Sequence, residues 1–192
     1  ALFFERGPTV LWFGLAGIAL CVFYSLGPVK LSTIGLGEAA VAVGLGVLPV
    51  VGAAWLQGAS IDTTLVLYSL PVSAWVAAIL LINEVPDIEA DGACGKDTLP
   101  VRLGLEGTSR LYIALQASAF LVILALTITG SLPVLAPLLP AGLMVLAWRA
   151  STAIKAGVSE REAMTKGIEA TLAIHTIGCL WLAACALYSL WW

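Results

Sequence analysis

Charge is what this sequence lacks most: Asp, Glu, Lys and Arg together make up 11% of its 192 residues. Soluble globular chains carry about a quarter, so this one has too little polar material to clothe itself in water. Histidine is nearly absent, with His175 alone, and the four cysteines (Cys21, Cys94, Cys179, Cys185) form no CxxC pair and no Cys/His cluster. A disulfide framework and a zinc module are thereby excluded, and buried inert thiols are the default reading, Cys94 being the one in a polar loop. The net charge of −3 lacks the basic excess that nucleic-acid binding needs. Ala1–Arg6 also lacks the basic start of a signal peptide.

What is abundant is apolar. Hydrophobic residues make up 60% of the chain, and the mean hydropathy is +1.02. Such a chain belongs in lipid. Apolar runs at about 8–26, 36–57, 62–83, 105–129, 132–152 and 165–191 are each near the length of a bilayer crossing, about 20 residues. Lipid offers backbone groups no partners, so each run must satisfy its own hydrogen bonds as a helix. The expectation is an all-α, polytopic transmembrane bundle of about six helices forming one domain over 1–192. Asp62 before Thr63 and Thr64 reads as an N-cap, and Ser159-Glu160-Arg161-Glu162 as a capping box leading into the last helix. Small-residue spacings at Gly14–Gly17, Gly44–Gly46 and Gly52–Ala53 read as close helix packing, and the tryptophans as interfacial anchors.

Six spans put connections 27–35, 84–104 and 153–164 on one face. With the adjoining helix ends, that face collects Lys30, Lys96, Arg102, Arg110, Arg149, Lys155, Arg161 and Lys166, eight of the nine basic residues. The other face has connections 58–61 and 130–131, and Arg6 near the N-terminus. The positive face is expected in the cytoplasm of a bacterial-type plasma membrane, with both ends of the chain outside and Trp181, Trp191 and Trp192 toward the outer interface.

The one long polar connection, residues 83–104, reads NEVPDIEADGACGKDTLPVRLG. Asn83, Asp87 and Asp91 recur every four residues, which on a helix places them along one stripe. Pro86 loosens that helix and frees a carbonyl. Carboxylates at the mouth of a span are costly without a compensating cation, and hard oxygen ligands suit Mg²⁺, which takes one or two carboxylates together with phosphate oxygens and water. Lys96 and Arg102 follow as phosphate partners. Spacing alone leaves two readings open, a solvated loop or a divalent-cation site. His175, mid-span beside Thr171 and Thr176, must find a partner at that depth, whether a neighbouring helix, a pigment or metal, or a substrate.

This segment resembles the second aspartate-rich motif of the UbiA superfamily of intramembrane aromatic prenyltransferases. Its wording is most similar to the branch that prenylates 1,4-dihydroxy-2-naphthoate in menaquinone synthesis. A second stretch, Tyr24-Ser25-Leu26-Gly27-Pro28-Val29-Lys30-Leu31 followed by Gly35-Leu36-Gly37-Glu38, is similar to the family's segment between its fourth and fifth helices. The resemblance implies that Asp87 and Asp91 bind Mg²⁺ with Asn83 supporting, and that Tyr24, Lys30, Lys96 and Arg102 contact the diphosphate. It also implies that Glu38 helps hold the loop before it, and that the substrates are an isoprenyl diphosphate and an aromatic acceptor, met in membrane lipid.

The family has nine helices and a first aspartate motif, N-D-x-x-D-x-x-x-D, which this sequence does not contain; its spans correspond to helices four to nine. A diphosphate held by metal from one side alone is incompletely clamped, so this segment by itself is not expected to catalyse. Two expectations follow. Either the chain is part of a larger prenyltransferase of quinone synthesis, or it is a non-catalytic relative packed in a larger membrane complex and holding a quinone, carotenoid or chlorophyll.

Overall fold

The computed structural model describes residues 7–26 and 29–188. Arg6, Gly27, Pro28, Trp191 and Trp192, which entered the reading above, lie outside them. Among the described residues there are six long helices, α1 (Thr9–Ser25), α2 (Gly37–Leu56), α3 (Thr63–Asn83), α5 (Leu99–Ile128), α6 (Leu138–Ala156) and α7 (Arg161–Tyr188), with a short α4 (Ile88–Ala93) after α3. No strand occurs among the described residues. Runs Gly37–Leu56, Thr63–Ala93, Leu99–Ile128 and Leu138–Tyr188 are long and apolar enough to cross a membrane, and α1 is a shorter apolar helix. The protein is an integral membrane helical bundle. Leu15, Ile18, Leu121, Ile128, Leu172 and Leu180 are exposed on its outside, where lipid replaces water as solvent.

Helix boundaries follow local chemistry. Asp62 caps α3, its Oδ1 accepting from the Leu65 N–H at 2.8 Å. Regular α5 begins after Gly104, whose φ of +63° breaks the run from Leu99; only glycine enters that region freely. The expected span at 132–152 starts later, at Leu138, because Pro133 and Pro137 cannot donate into a helix and hold residues 134–137 in turns. The expected capping box is not formed. Ser159 donates to the Ala156 carbonyl at 2.5 Å from a 3₁₀ turn, Gly157–Glu160, that joins α6 to α7.

The core is built on α3, which packs against α2, α5 and α7. Trp75 on α3 is 2% exposed. Its ring fills the space beside Gly178 of α7, where an added Cβ would come 2.6 Å from Cη2. This tryptophan is a core residue, not an interfacial anchor. Trp55 stacks on Phe13 with ring centroids 5.4 Å apart, and Trp181 Nε1 donates to the Ala136 carbonyl at 2.8 Å. Close packing is real at Gly46, which faces Ser73, and at Gly52, which faces Phe13. Gly14 and Gly17 have nothing within 4 Å among the described residues, because α1 buries none of its residues. Deep in the bundle the Tyr112 and Thr171 hydroxyls join α5 to α7 at 2.7 Å, and Thr171 donates on to the Gly167 carbonyl at 2.8 Å.

Candidate Mg²⁺–diphosphate site

The three charged connections meet at one end of the bundle. Asp97 N–H donates to the Thr33 carbonyl at 2.8 Å. Lys155 reaches Glu106 at 3.1 Å, and Pro86 shares a surface pocket with Val158 and Arg161. The acidic segment therefore sits in a gathered polar cap.

Asn83, Asp87 and Asp91 do not lie on one uninterrupted α-helix. α3 ends at Asn83, a 3₁₀ turn spans Val85–Asp87, and α4 begins at Ile88. Pro86 explains the change: without an N–H it cannot continue the i→i−4 ladder, and Asp87 N–H bonds to the Glu84 carbonyl three residues back, at 3.1 Å. The acidic row is thus rewound tightly between Asn83 and Asp87.

Lys96 closes onto this row. Its backbone N–H bonds to the Asp91 carbonyl at 2.9 Å and its Nζ lies 2.6 Å from Asp91 Oδ1. Gly95, at φ +75°, supplies the reversal that turns Lys96 back. The Asp91 hydrogen bond first, then the Asp91 and Asp87 charges, hold the ammonium above its usual 10.5. A group whose folded pKa is raised keeps its pairing below that pKa and loses it only as pH rises through it. The lysine's side of the pair is therefore in place across the neutral range and is lost as pH rises through its raised pKa.

Carboxylates that already draw in an ammonium are suited to a cation, and their donor chemistry fits Mg²⁺. Among the described residues no group of three or more His, Cys, Asp or Glu side chains converges on one point. Asp87 and Asp91 would supply one or two protein ligands, and phosphate oxygens and water would fill the remaining positions, as Mg²⁺ accepts.

The other expected residues divide. Tyr24, on the last turn of α1, lies within electrostatic reach of Glu84, Glu38 and Lys96. Lys30 is exposed and its side chain makes no hydrogen bond or ion pair among the described residues. Arg102 is engaged elsewhere. Its Nη2 reaches Asp97 Oδ2 at 2.7 Å and donates to the Ile34 carbonyl at 2.8 Å, while its guanidinium covers Gly35, a positive-φ turn at +70°. Arg102 clips connection 29–36 to the segment bearing Lys96. Arg102→Gln is expected to cost below about 1 kcal/mol in global stability, as exposed pairs do. It should nonetheless speed amide hydrogen exchange at Asp97, whose N–H joins the clipped loops. Unchanged exchange there would show that the clip does not order them.

One pair was not visible in the sequence. Glu38, 5% exposed, meets Glu84 carboxyl to carboxyl, and Glu84 Oε1 also lies against Gly37. Glu38 Oε1 and Glu84 Oε2 are buried with no hydrogen-bond partner among the described residues. The pair ties the start of α2 to the end of α3 beside the acidic row. The two residues stand far apart in sequence, and no spacing rule links them.

Below the polar cap, two apolar grooves run between helices. One, of 380 Å³, is lined by Gly17, Leu20, Tyr24, Ala40 and Gly44. The other, of 470 Å³, is lined by Val41, Leu45, Val76, Ile79, Leu80, Asn83 and His175. Asn83 is the point where the acidic row touches an apolar channel.

The UbiA prenyltransferase family matches residues 1–166. The 1,4-dihydroxy-2-naphthoate octaprenyltransferase of Haemophilus influenzae is 37% identical over 134 residues, covering 66% of this chain and 43% of that protein. Proteins of the same name from Escherichia coli and Bacillus subtilis are 39% and 32% identical, covering 59% and 62% of this chain and 36% and 38% of theirs. The chain thus spans about two fifths of the length of these curated relatives. No solved structure matches it significantly. With a family match across most of its length and the acidic row at the mouth of an apolar helical groove, the chain belongs to the UbiA prenyltransferase family.

Proposed function

We propose that this chain forms the Asp87/Asp91 side of an Mg²⁺–diphosphate site in an intramembrane aromatic prenyltransferase of quinone biosynthesis. The acceptor is of the 1,4-dihydroxy-2-naphthoate class, by similarity to the relatives named above. The observation that carries the reading is the Lys96–Asp91 pair beside Asp87, set above the two apolar grooves that Tyr24 and Asn83 line. Charge and apolarity meet there as an isoprenyl diphosphate requires: the cap takes the anionic head, and the neighbouring 380 Å³ groove that Tyr24 lines takes the hydrocarbon tail.

Bound Mg²⁺ would neutralise charge on the diphosphate as it departs. The chain's own residues do the rest. Asp87 and Asp91 hold the ion. With Asp87 and Asp91 holding the ion, Lys96 would offer its ammonium to a phosphate oxygen, and Tyr24 would offer a hydroxyl donor within the same cluster. Asn83 supports the head at the groove mouth, and Lys30 and Arg102 add positive potential along the approach. Leu45, Val76, Ile79 and Leu80 exclude water while the allylic C–O bond breaks, its electron pair leaving with the diphosphate, and the acceptor ring forms the new C–C bond and gives up its carboxylate as CO₂. The charged end faces the cytoplasm in this reading, where the soluble head of the donor is supplied.

The test is binding of geranyl diphosphate to the protein in nanodiscs, with and without Mg²⁺, followed by transfer to 1,4-dihydroxy-2-naphthoate in membranes. Binding is expected to require Mg²⁺, to vanish with EDTA and to be competed by inorganic diphosphate. Binding that is absent, or indifferent to Mg²⁺, in folded protein overturns the reading.

A further inference from the structure

His175 is the unexplained polar group of the membrane interior. It stands half-buried on α7 as part of the wall of the 470 Å³ groove. A polar side chain at such depth needs a partner, and Thr171, one turn earlier on the same helix, is unavailable, because its hydroxyl is committed to Tyr112 and to the Gly167 carbonyl. Among the described residues the imidazole makes no hydrogen bond. Among the described residues that line this groove, Asn83 is the only other polar side chain.

Helix register gives their separation. On α7, Gly167 packs at the level of Ile82 and Gly178 at the level of Trp75. His175 therefore lies near the level of residue 77, about six residues below Asn83, or about 9 Å at 1.5 Å per residue. Between them the walls are Val41, Leu45, Val76, Ile79 and Leu80. An apolar slot with one hydrogen-bonding group at each end does not describe a seat for an isoprenyl chain, which has nothing to offer an imidazole. A metal is equally unsuited, since no cluster of ligating side chains surrounds His175 among the described residues. A flat ring system with oxygen substituents meets both requirements: its faces contact the aliphatic walls and its hydroxyls reach the polar ends.

We infer that the groove between α2, α3 and α7 is the seat of the aromatic acceptor, with His175 hydrogen-bonded to a ring hydroxyl at its deep end and Asn83 flanking the end near the diphosphate. This rests on the function proposed above and names the acceptor's place in that site. It makes His175 an acceptor-binding residue, and it orients the ring along the groove with one edge toward the acidic row.

Equilibrium binding to the protein in nanodiscs tests this with three probes: 1,4-dihydroxy-2-naphthoate, its unhydroxylated analogue 2-naphthoate, and geranyl diphosphate with Mg²⁺. The parent protein is expected to favour the dihydroxy ring at least about tenfold over 2-naphthoate, the scale of a buried hydrogen bond. His175→Leu should erase most of that preference, leave 2-naphthoate unchanged and hold geranyl diphosphate within about twofold. His175→Gln, which keeps a donor and an acceptor, should restore a large part of it. Because His175 bonds to no other described side chain, its replacement has no hydrogen bond of the fold to break. Equal losses for both naphthoates would reduce His175 to a packing role and overturn the inference, as would an unchanged preference or a parallel loss of diphosphate binding. If the parent fails to bind geranyl diphosphate with Mg²⁺, the proposed function falls. If it binds the diphosphate but shows no hydroxyl preference, the acceptor seat alone falls.

Discussion

Asp91→Asn is expected to weaken Mg²⁺-dependent binding of geranyl diphosphate by at least about 10²-fold, since losing even an outer partner of a metal ligand costs roughly 10–100-fold. The argument is electrostatic. Asp91 is 14% exposed at its side chain and in direct contact with Lys96, so its charge is partly sheltered and works at higher strength than a free surface carboxylate. With one of two carboxylates neutralised, the remaining acid, Asp87, must hold the ion against the neighbouring Lys96 ammonium, now without its partner. Raising Mg²⁺ should recover part of the loss, which separates weakened metal affinity from a damaged fold. Glu89→Gln is the control. Glu89 lies in the same short helix α4 and is exposed, so its neutralisation changes local charge equally and should shift binding less than about threefold. If the two variants behave alike, the acids act as a diffuse negative surface and no metal seat exists. Where the parent transfers the prenyl group, the loss should appear in the rate at limiting Mg²⁺ as well.

Much of this architecture was open to sequence reasoning, for physical reasons that also explain the failures. Six helices were countable because lipid forces every crossing to be long, apolar and internally hydrogen-bonded. The cap at Asp62 was legible because an Asx oxygen before a helix has one local task. Lys96 reads as a phosphate partner following the acidic row; its pairing with Asp91 depends on the turn at Gly95, which brings it back onto that row. Long-range partnerships were not legible. Glu38 reads alone as the start of a helix, and its contact with Glu84 exists only once α2 packs on α3. Arg102 carries the same charge whether it faces phosphate or the Ile34 carbonyl, and only the fold distinguishes these. Trp75 looks like any membrane tryptophan until Gly178 is placed opposite it. Likewise His175 is expected to find a partner, in a neighbouring helix, a pigment or metal, or a substrate; among the described residues its imidazole makes no hydrogen bond, and the Thr171 hydroxyl one turn earlier meets Tyr112 of α5 instead.

The largest stability effect is expected at Gly46, because there the obstacle is backbone. A Cβ added at Gly46 would lie 2.5 Å from the Ser73 Cα and 2.8 Å from its Cβ. No rotamer of Ser73 relieves contact with its own Cα, so Gly46→Ala forces α2 away from α3. Overpacking of this kind costs roughly 1–3 kcal/mol, offset in part by the gain of about 0.5–1 kcal/mol that alanine brings to a helix over glycine. Gly46 sits in the six-residue π-turn Ala42–Val47, whose wider winding lets the helix approach α3 at this point. The damage should therefore spread along the seam. Val41 and Leu45 on α2 and Val76, Ile79 and Leu80 on α3 face one another across the proposed acceptor groove, and Glu38 meets Glu84 at its upper end. Gly46→Ala is expected to lower the melting temperature in detergent and, below that temperature, to weaken binding of 1,4-dihydroxy-2-naphthoate more than that of geranyl diphosphate, whose carboxylates and lysine lie within one continuous segment. Gly14→Ala, made on α1 where nothing stands within 4 Å among the described residues, carries the same propensity gain without the collision. It should leave stability unchanged or slightly raised. A Gly46 variant as stable as the Gly14 variant would mean that α2 and α3 do not meet as closely as the seam requires, and the groove between them would lose its wall.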